Sequence, residues 1–285
     1  MAAEKDFHLH DPTWCAGCGI YSIFASMKKT AATLNFKPEE LVVVTGIGCH
    51  GRLNNYFKSF GFHALHGRTL PLATGIKLAN SRLNVAVVSG DGDAYSIGLG
   101  HFIHAVRRNI TLTFIVVNNM IYALTQGQTS PTSRMGFISV STPFGSKEPP
   151  LNGPQLALAS EGTFIARGYS GDPRMLVRLM EQGFQHRGFA LIEVLSPCVI
   201  HNKINTYEWF EEHTFNIEDI KGYEPHNREA AWELVGRKEK FALGLLFREE
   251  RPSYDDIVLA GVRSLVQSPL KINLKKMKAI MKKFE

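Results

Sequence analysis

VAVVSGDGDAYS, residues 85–96, is the stretch from which the fold can be read outward. Its first half is a short, mostly β-branched apolar run, the pattern of a parallel strand covered on both faces. The run stops at Gly90-Asp91-Gly92-Asp93. The glycines let the backbone turn tightly and come close to a ligand. A helical pattern follows, and residues 113–117 (TFIVV) repeat the strand pattern and stop at Asn118-Asn119. Asp91 and Asn119 are 28 residues apart, one αβ unit, so they end adjacent strands. A carboxylate and an amide oxygen so placed suit a hard divalent cation such as Mg²⁺, which takes oxygen ligands in an octahedron. The start of the helix after Asp93 offers free N–H groups to an anion. The constellation points to a Mg²⁺–diphosphate site.

Further strands are expected at residues 41–45 (LVVVT) and 190–195 (ALIEVL), with a weaker one at 163–167. Helical patterns fill residues 20–34, 72–79, 98–107 and 173–186. The alternation predicts right-handed βαβ units and an α/β fold with a doubly wound, mostly parallel sheet. Ligands then gather at the carboxyl ends of the strands. Residues 126–154 hold five of the thirteen prolines, are rich in Gly, Ser and Thr, and show no period. So long a loop inside a domain is commonly functional, here as a cover of the site. Beyond residue 201 the pattern changes. Residues 228–250 read as a charged amphipathic helix, and 270–284 as another with a lysine-rich face. The organisation expected is a ligand-binding domain over 1–201 and a C-terminal helical extension over 202–285.

The chain has 285 residues, 44% hydrophobic and 20% charged, the composition of a globular protein with a sizeable core. No apolar run is long enough to span a bilayer, and residues 1–10 are too polar for a secretory signal. The expectation is a cytoplasmic protein with no membrane partner. The formal charge of +6 raises nucleic acid as a partner. Its distribution argues against that: residues 270–285 alone carry a net +5, with Lys271, Lys275, Lys276, Lys278, Lys282 and Lys283. The rest of the chain is close to neutral.

Four cysteines in a cytoplasmic chain point to metal or redox chemistry rather than disulfides. Cys15 and Cys18 form a CxxC within WCAGCG. Cys49 follows the first strand in GIGCHGR, and Cys198 follows the strand at 190–195 in LSPC. Two lie on an N-terminal loop and two at strand ends, on the edge that carries Asp91 and Asn119. Four thiolates there suit zinc or a [4Fe–4S] cluster.

The strand-GDG-helix-strand-NN arrangement resembles the diphosphate-binding signature of thiamine diphosphate enzymes. That resemblance makes the backbone carbonyl of Ile121 a third metal ligand beside Asp91 and Asn119. The ordered set WCAGCG, GIGCHGR, HGRTLPLATG, GDGDAYSIGLGHFIHAVRRN, VVNNMIYALTQGQTSPTS and LSPC is more specific. It resembles the β subunits of 2-oxoacid:ferredoxin oxidoreductases, from about residue 14 to 201. The resemblance implies the thiamine diphosphate-binding fold and one [4Fe–4S] cluster on Cys15, Cys18, Cys49 and Cys198. It places Ile47, Gly48, Cys49, His50 and His66 against thiamine diphosphate, Gly92 and Asp93 at its diphosphate, and Ala123 and Leu124 near its ring. Arg52 matches a cationic, substrate-side position, and with His50 would hold a distal carboxylate by charge-assisted hydrogen bonds.

The implied reaction is coenzyme A-dependent oxidative decarboxylation of a 2-oxoacid to acyl-CoA and CO₂, with electrons leaving through the cluster to ferredoxin, and reversible as CO₂ fixation. The runs at 66–80 and 129–133 favour 2-oxoglutarate over pyruvate. An α subunit would supply the pyrimidine domain and its glutamate, in a dimer of heterodimers. The alternatives are a cluster-free thiamine decarboxylase or synthase subunit and a zinc-containing nucleic-acid module. Trp14 reads as packing beside the cluster, His101 and His104 as helix packing rather than a metal pair, and residues 7–10 as a frayed terminus.

Overall fold

The strands are β1 (Leu41–Thr45), β2 (Phe60–His63), β3 (Asn84–Gly90), β4 (Leu112–Asn118), β5 (Ile121–Tyr122), β6 (Gln128–Thr129), β7 (Phe164–Tyr169), β8 (Phe189–Leu195), β9 (Thr214–Asn216) and β10 (Phe241–Arg248). The computed structural model describes residues 2–237, 239–262, 265–268 and 273–284. Among these, eight strands form one sheet in the order β2-β1-β3-β4-β8-β7-β10-β9, and β5 and β6 form a small antiparallel pair. Every pairing in the large sheet is parallel except β7 with β10. This is the mostly parallel α/β sheet read from the sequence.

The helices are α1 (Ile20–Thr33), α2 (Thr69–Ala79), α3 (Leu99–Arg108), α4 (Gly153–Ala159), α5 (Pro173–Gln185), α6 (Tyr207–Glu212), α7 (Arg228–Val235), α8 (Tyr254–Val258) and α9 (Leu274–Met281). Helices α1 to α7 divide between the two faces of the sheet. Val43, Val88, Ile115 and Ile192 pack with α1, α5 and α6. Val42, Val44, Val87, Phe114 and Leu191 pack with α2, α3, α4 and α7. Successive strand residues point to opposite faces, so a strand buried on both must be apolar throughout. β1, β4 and β8 are buried at every position. Burial of each large side chain contributes about 1.5–3 kcal/mol.

Four expectations need correction. Residues 228–250 are not one helix: α7 ends at Val235, and β10 follows as an inserted strand. The region after residue 201 is therefore not purely helical, because β9 and β10 extend the sheet at its edge. The terminus around Phe7 is docked rather than frayed. Phe7 is fully buried, the Leu9 N–H donates to Tyr56 O, and the Lys58 N–H donates to Phe7 O. The lysine-rich helix is shorter than expected, α9 ending at Met281, and Leu270, Lys271 and Glu285 lie outside the described residues. No described helix is long and apolar enough to cross a membrane.

Candidate active site

Because β1, β3, β4 and β8 run parallel, the turns that follow them lie on one edge of the sheet. Two cavities open there. The first, about 270 Å³, is lined by Ile47, Gly48, Cys49 and His50 after β1, by His66 before α2, by Asp91, Gly92 and Asp93 after β3, and by Asn119, Ile121, Ala123 and Leu124 after β4. The second, about 190 Å³, is lined by Cys15, Cys18, Cys49, Cys198 and Arg52. Ile20, Cys49, Asn119, Ala123 and Leu124 belong to both walls. Every residue singled out for a cofactor, metal or substrate role thus faces one of two adjoining spaces.

Asp91 is buried to 1% exposure. Its Oδ2 accepts hydrogen bonds from Ser130 Oγ (2.5 Å) and Thr132 Oγ1 (2.6 Å). Burial pushes its carboxyl up to about 6, while the two hydroxyls oppose that rise. A bound cation would favour the charged form and remove the penalty. With it on the same wall stand Asn119, whose Oδ1 accepts the Ile121 N–H at 3.2 Å, and the Ile121 backbone. One carboxylate, one amide and one peptide carbonyl make an all-oxygen donor set, which fits Mg²⁺.

Asp93 does a different task. Its Oδ1 accepts from His66 Nδ1 (2.7 Å), the Gly67 N–H (2.7 Å) and the Ile47 N–H (3.4 Å), and its Oδ2 accepts from Ser89 Oγ. It ties together the turns after β1 and β3 and the entry to α2. A Cβ on Gly46 would sit 1.8 Å from Asp93 Oδ2, and one on Gly92 would sit 2.2 Å from the Tyr122 ring. Only glycine permits these approaches.

His50 is buried, and its Nε2 accepts the Gly90 N–H at 3.0 Å. Burial pushes its imidazole down to about 4, so it is neutral at physiological pH. Arg52 lines the second cavity, so the two residues face adjoining spaces.

Around that second cavity Trp14 packs edge-on against Tyr21, Phe24 and Tyr56, and its Nε1 donates to Cys49 O at 2.8 Å. It fixes the Cys49 loop, as its packing role suggested. The cysteines are free thiols that sense one another. Burial pushes Cys18 up to about 11, with Cys198, Cys49 and Cys15 adding to the rise. Burial also raises Cys49, with Cys198 and Cys15 adding and Arg52 opposing. Among the described residues, no three Cys, His, Asp or Glu side chains close around one point as a single metal ion requires. All four thiols line the second cavity, and as a donor set four thiolates suit a [4Fe–4S] cluster or zinc. His101 and His104 lie on α3, the first half-buried and the second exposed.

Sequence reasoning expected the 126–154 loop to cover the site but did not assign roles to its hydroxyls. Ser130, Thr132 and Ser133 are all buried, and Ser133 Oγ donates to Met120 O at 2.5 Å. It also missed Asn118, whose Nδ2 donates to Glu193 Oε1 at 3.2 Å and whose Oδ1 accepts the Met120 N–H at 3.1 Å. Hydroxyls in a Ser/Thr/Gly/Pro loop carry no period that would single them out.

The strand-end carboxylate, its amide neighbour and the mostly parallel sheet define a thiamine diphosphate-binding domain. Residues 46–194 match the family described as "Thiamine pyrophosphate enzyme, C-terminal TPP binding domain". Residues 198–260 match the family described as the C-terminal part of the pyruvate ferredoxin oxidoreductase beta subunit. The chain is 39% identical to the β subunit of 2-oxoacid:ferredoxin oxidoreductase 2 of Aeropyrum pernix, over 85% of this chain and 82% of that one. It is 47% identical to the 2-oxoglutarate oxidoreductase subunit KorB of Mycobacterium tuberculosis, over 70% of this chain and 53% of that one. A solved structure, the 2-oxoglutarate:ferredoxin oxidoreductase of Magnetococcus marinus with 2-oxoglutarate, coenzyme A and succinyl-CoA bound, superposes with a TM-score of 0.90. It is 33% identical, over 98% of this chain and 96% of that one. The chain belongs to the β subunits of 2-oxoacid:ferredoxin oxidoreductases, and so is one subunit of an enzyme complex.

Proposed function

We propose that the chain carries thiamine diphosphate, Mg²⁺ and one [4Fe–4S] cluster in a coenzyme A-dependent oxidoreductase that prefers 2-oxoglutarate, run as oxidative decarboxylation or as CO₂ fixation. The observation that carries this reading is the shared wall: Cys49 lines both cavities, so the turn that would touch one cofactor would also ligate the other. When bound, thiamine diphosphate supplies the electron sink for loss of CO₂, and the cluster accepts electrons singly.

The chain's own residues bind and orient. Asp91, Asn119 and the Ile121 carbonyl hold the metal, with Gly92 and Asp93 at the diphosphate. Ile47, Gly48, His50 and His66 face the cofactor, and Ala123 and Leu124 lie near its ring. Cys15, Cys18, Cys49 and Cys198 hold the cluster. Neutral His50 orients, and Arg52 draws the distal carboxylate of a dicarboxylic substrate. The preference for 2-oxoglutarate is supported by the names of the Mycobacterium tuberculosis relative and the Magnetococcus marinus neighbour.

Residues 1–201 form the cofactor-binding unit and 202–285 its extension, a division supported by the two family matches meeting between 194 and 198. An α subunit supplies the pyrimidine domain and its glutamate, ferredoxin takes the electrons, and the assembly is a cytoplasmic dimer of heterodimers. The test is metal analysis of the anaerobically co-purified complex, wild type against Cys198→Ala. The substitution should remove about four iron atoms per αβ pair. Unchanged iron, or stoichiometric zinc in the wild type, would refute the cluster assignment.

A further inference from the structure

The metal-binding carboxylate sits at one end of a buried polar chain that the reaction scheme does not use. Arg167 and Glu193 lie on β7 and β8, both side chains 3% exposed, and Arg167 Nε donates to Glu193 Oε2 at 2.7 Å. Asn118, at the end of β4, donates to Glu193 Oε1 at 3.2 Å. Tyr95 donates to the same oxygen at 3.3 Å. The Asn118 amide is therefore fixed, its oxygen accepting the Met120 N–H at 3.1 Å, and Met120 takes the Ser133 hydroxyl on its carbonyl, which ties the 130–133 segment to the sheet. Thr132 and Ser130 in turn meet Asp91 Oδ2 at 2.6 and 2.5 Å.

The segment that delivers these hydroxyls is built, not loose. The Ser130 N–H donates to Ser133 Oγ at 2.8 Å, the Ser133 N–H donates to Ser130 O at 3.1 Å, and Ser133 Oγ donates to Met120 O. Pro131 fixes a backbone angle between the two hydroxyl donors.

We propose that Ser130 and Thr132 are positioning residues for the metal site. They hold the Asp91 carboxylate in the orientation that receives the cation, with Asn118, Glu193 and Arg167 as their anchor in the sheet. A carboxylate buried with two hydroxyl donors on one oxygen cannot rotate without giving up both bonds. Hydrogen bonds to an ionised acceptor are about twice as strong as neutral ones. Partners that orient a metal ligand typically change metal affinity about 10–100-fold when removed. The inference rests on Asp91 being a metal ligand, and the experiment separates the two claims.

The test uses the complex with its α subunit, stripped of Mg²⁺ and thiamine diphosphate. Calorimetric titration with Mg²⁺ at saturating thiamine diphosphate is run on the wild type, Thr132→Val, Thr132→Ser, Ser130→Ala and Asp91→Ala. Thr132→Val, which keeps the shape and loses the hydroxyl, should weaken Mg²⁺ binding about 10–100-fold. Thr132→Ser should restore it to within about threefold, and the thermal midpoint of the stripped complex should stay at the wild-type value in both. Ser130→Ala gives the second reading if Thr132→Val does not fold, and should also weaken binding. Wild-type Mg²⁺ affinity in Thr132→Val or Ser130→Ala overturns the inference. Loss of affinity in Thr132→Val that Thr132→Ser does not restore overturns it too. If Asp91→Ala itself binds Mg²⁺ normally, the ligand assignment beneath it fails instead.

Discussion

Gly46, Cys49 and Arg52 lie within one turn of chain after β1 and show three separate demands on single residues. Gly46 must lack a Cβ because Asp93 fills that space. Cys49 lines both cavities, where the proposed function needs its sulfur. Arg52 must carry charge where the second cavity opens. Replacing Arg52 by glutamine should raise the KM for 2-oxoglutarate about tenfold and leave that for pyruvate within about twofold, the size expected for one charge-assisted contact. Steady-state kinetics with both substrates decides it, and equal changes would remove Arg52 as the selector. Residues of this kind were legible in the sequence because each follows a buried apolar run, and the runs are spaced by whole αβ units. The charge of His50 was not. It depends on burial and on the Gly90 N–H, 40 positions away in the chain.

At the scale of elements, the buried strands were legible almost to the residue, since a strand covered on both faces leaves an unbroken apolar run. β1 spans Leu41–Thr45, the limits expected. β10 was not legible. FALGLLFR is bracketed by charged residues, and after α7 its pattern continues a helical one. What makes it a strand is its partner β7, to which it pairs antiparallel across a bulge. β2 and β9 were missed because four- and three-residue strands at sheet edges leave little pattern.

The junction of α5 and β7 also yields a pH prediction. His186, which caps α5, is buried with its Nε2 2.8 Å from Thr163 Oγ1. Burial pushes it down to about 4 from an ordinary 6.5, with Arg248 adding. The folded state resists a proton that the unfolded chain accepts. Stability is therefore full above about pH 6.5 and falls as the pH drops toward 4. The loss is on the order of 2 kcal/mol. Denaturant melts across that window should show it, and His186→Gln should flatten the slope. An unchanged slope in the variant would remove His186 as the cause.

On the scale of the whole molecule, the chain leaves its site open. Leu65 is 79% exposed and Leu124 55%, and Phe60, Phe62 and Ile97 are exposed with them. Apolar surface of this kind beside a functional cavity marks a protein contact, as expected of one subunit of a complex. The lysine-rich α9 stands out with Leu274, Met277, Ile280 and Met281 all exposed. The +6 charge belongs to this end of the chain and not to the catalytic body.

The central claim is that the two adjoining cavities act as one path, from substrate to cluster, through this chain. The most direct measurement follows the iron–sulfur absorbance of the anaerobic complex after addition of 2-oxoglutarate and coenzyme A, without ferredoxin. The wild type should bleach. Asp91→Ala should keep its iron, bleach with dithionite and fail to bleach with substrate. Substrate-driven bleaching in Asp91→Ala equal to the wild type, or none in the wild type, would contradict the account.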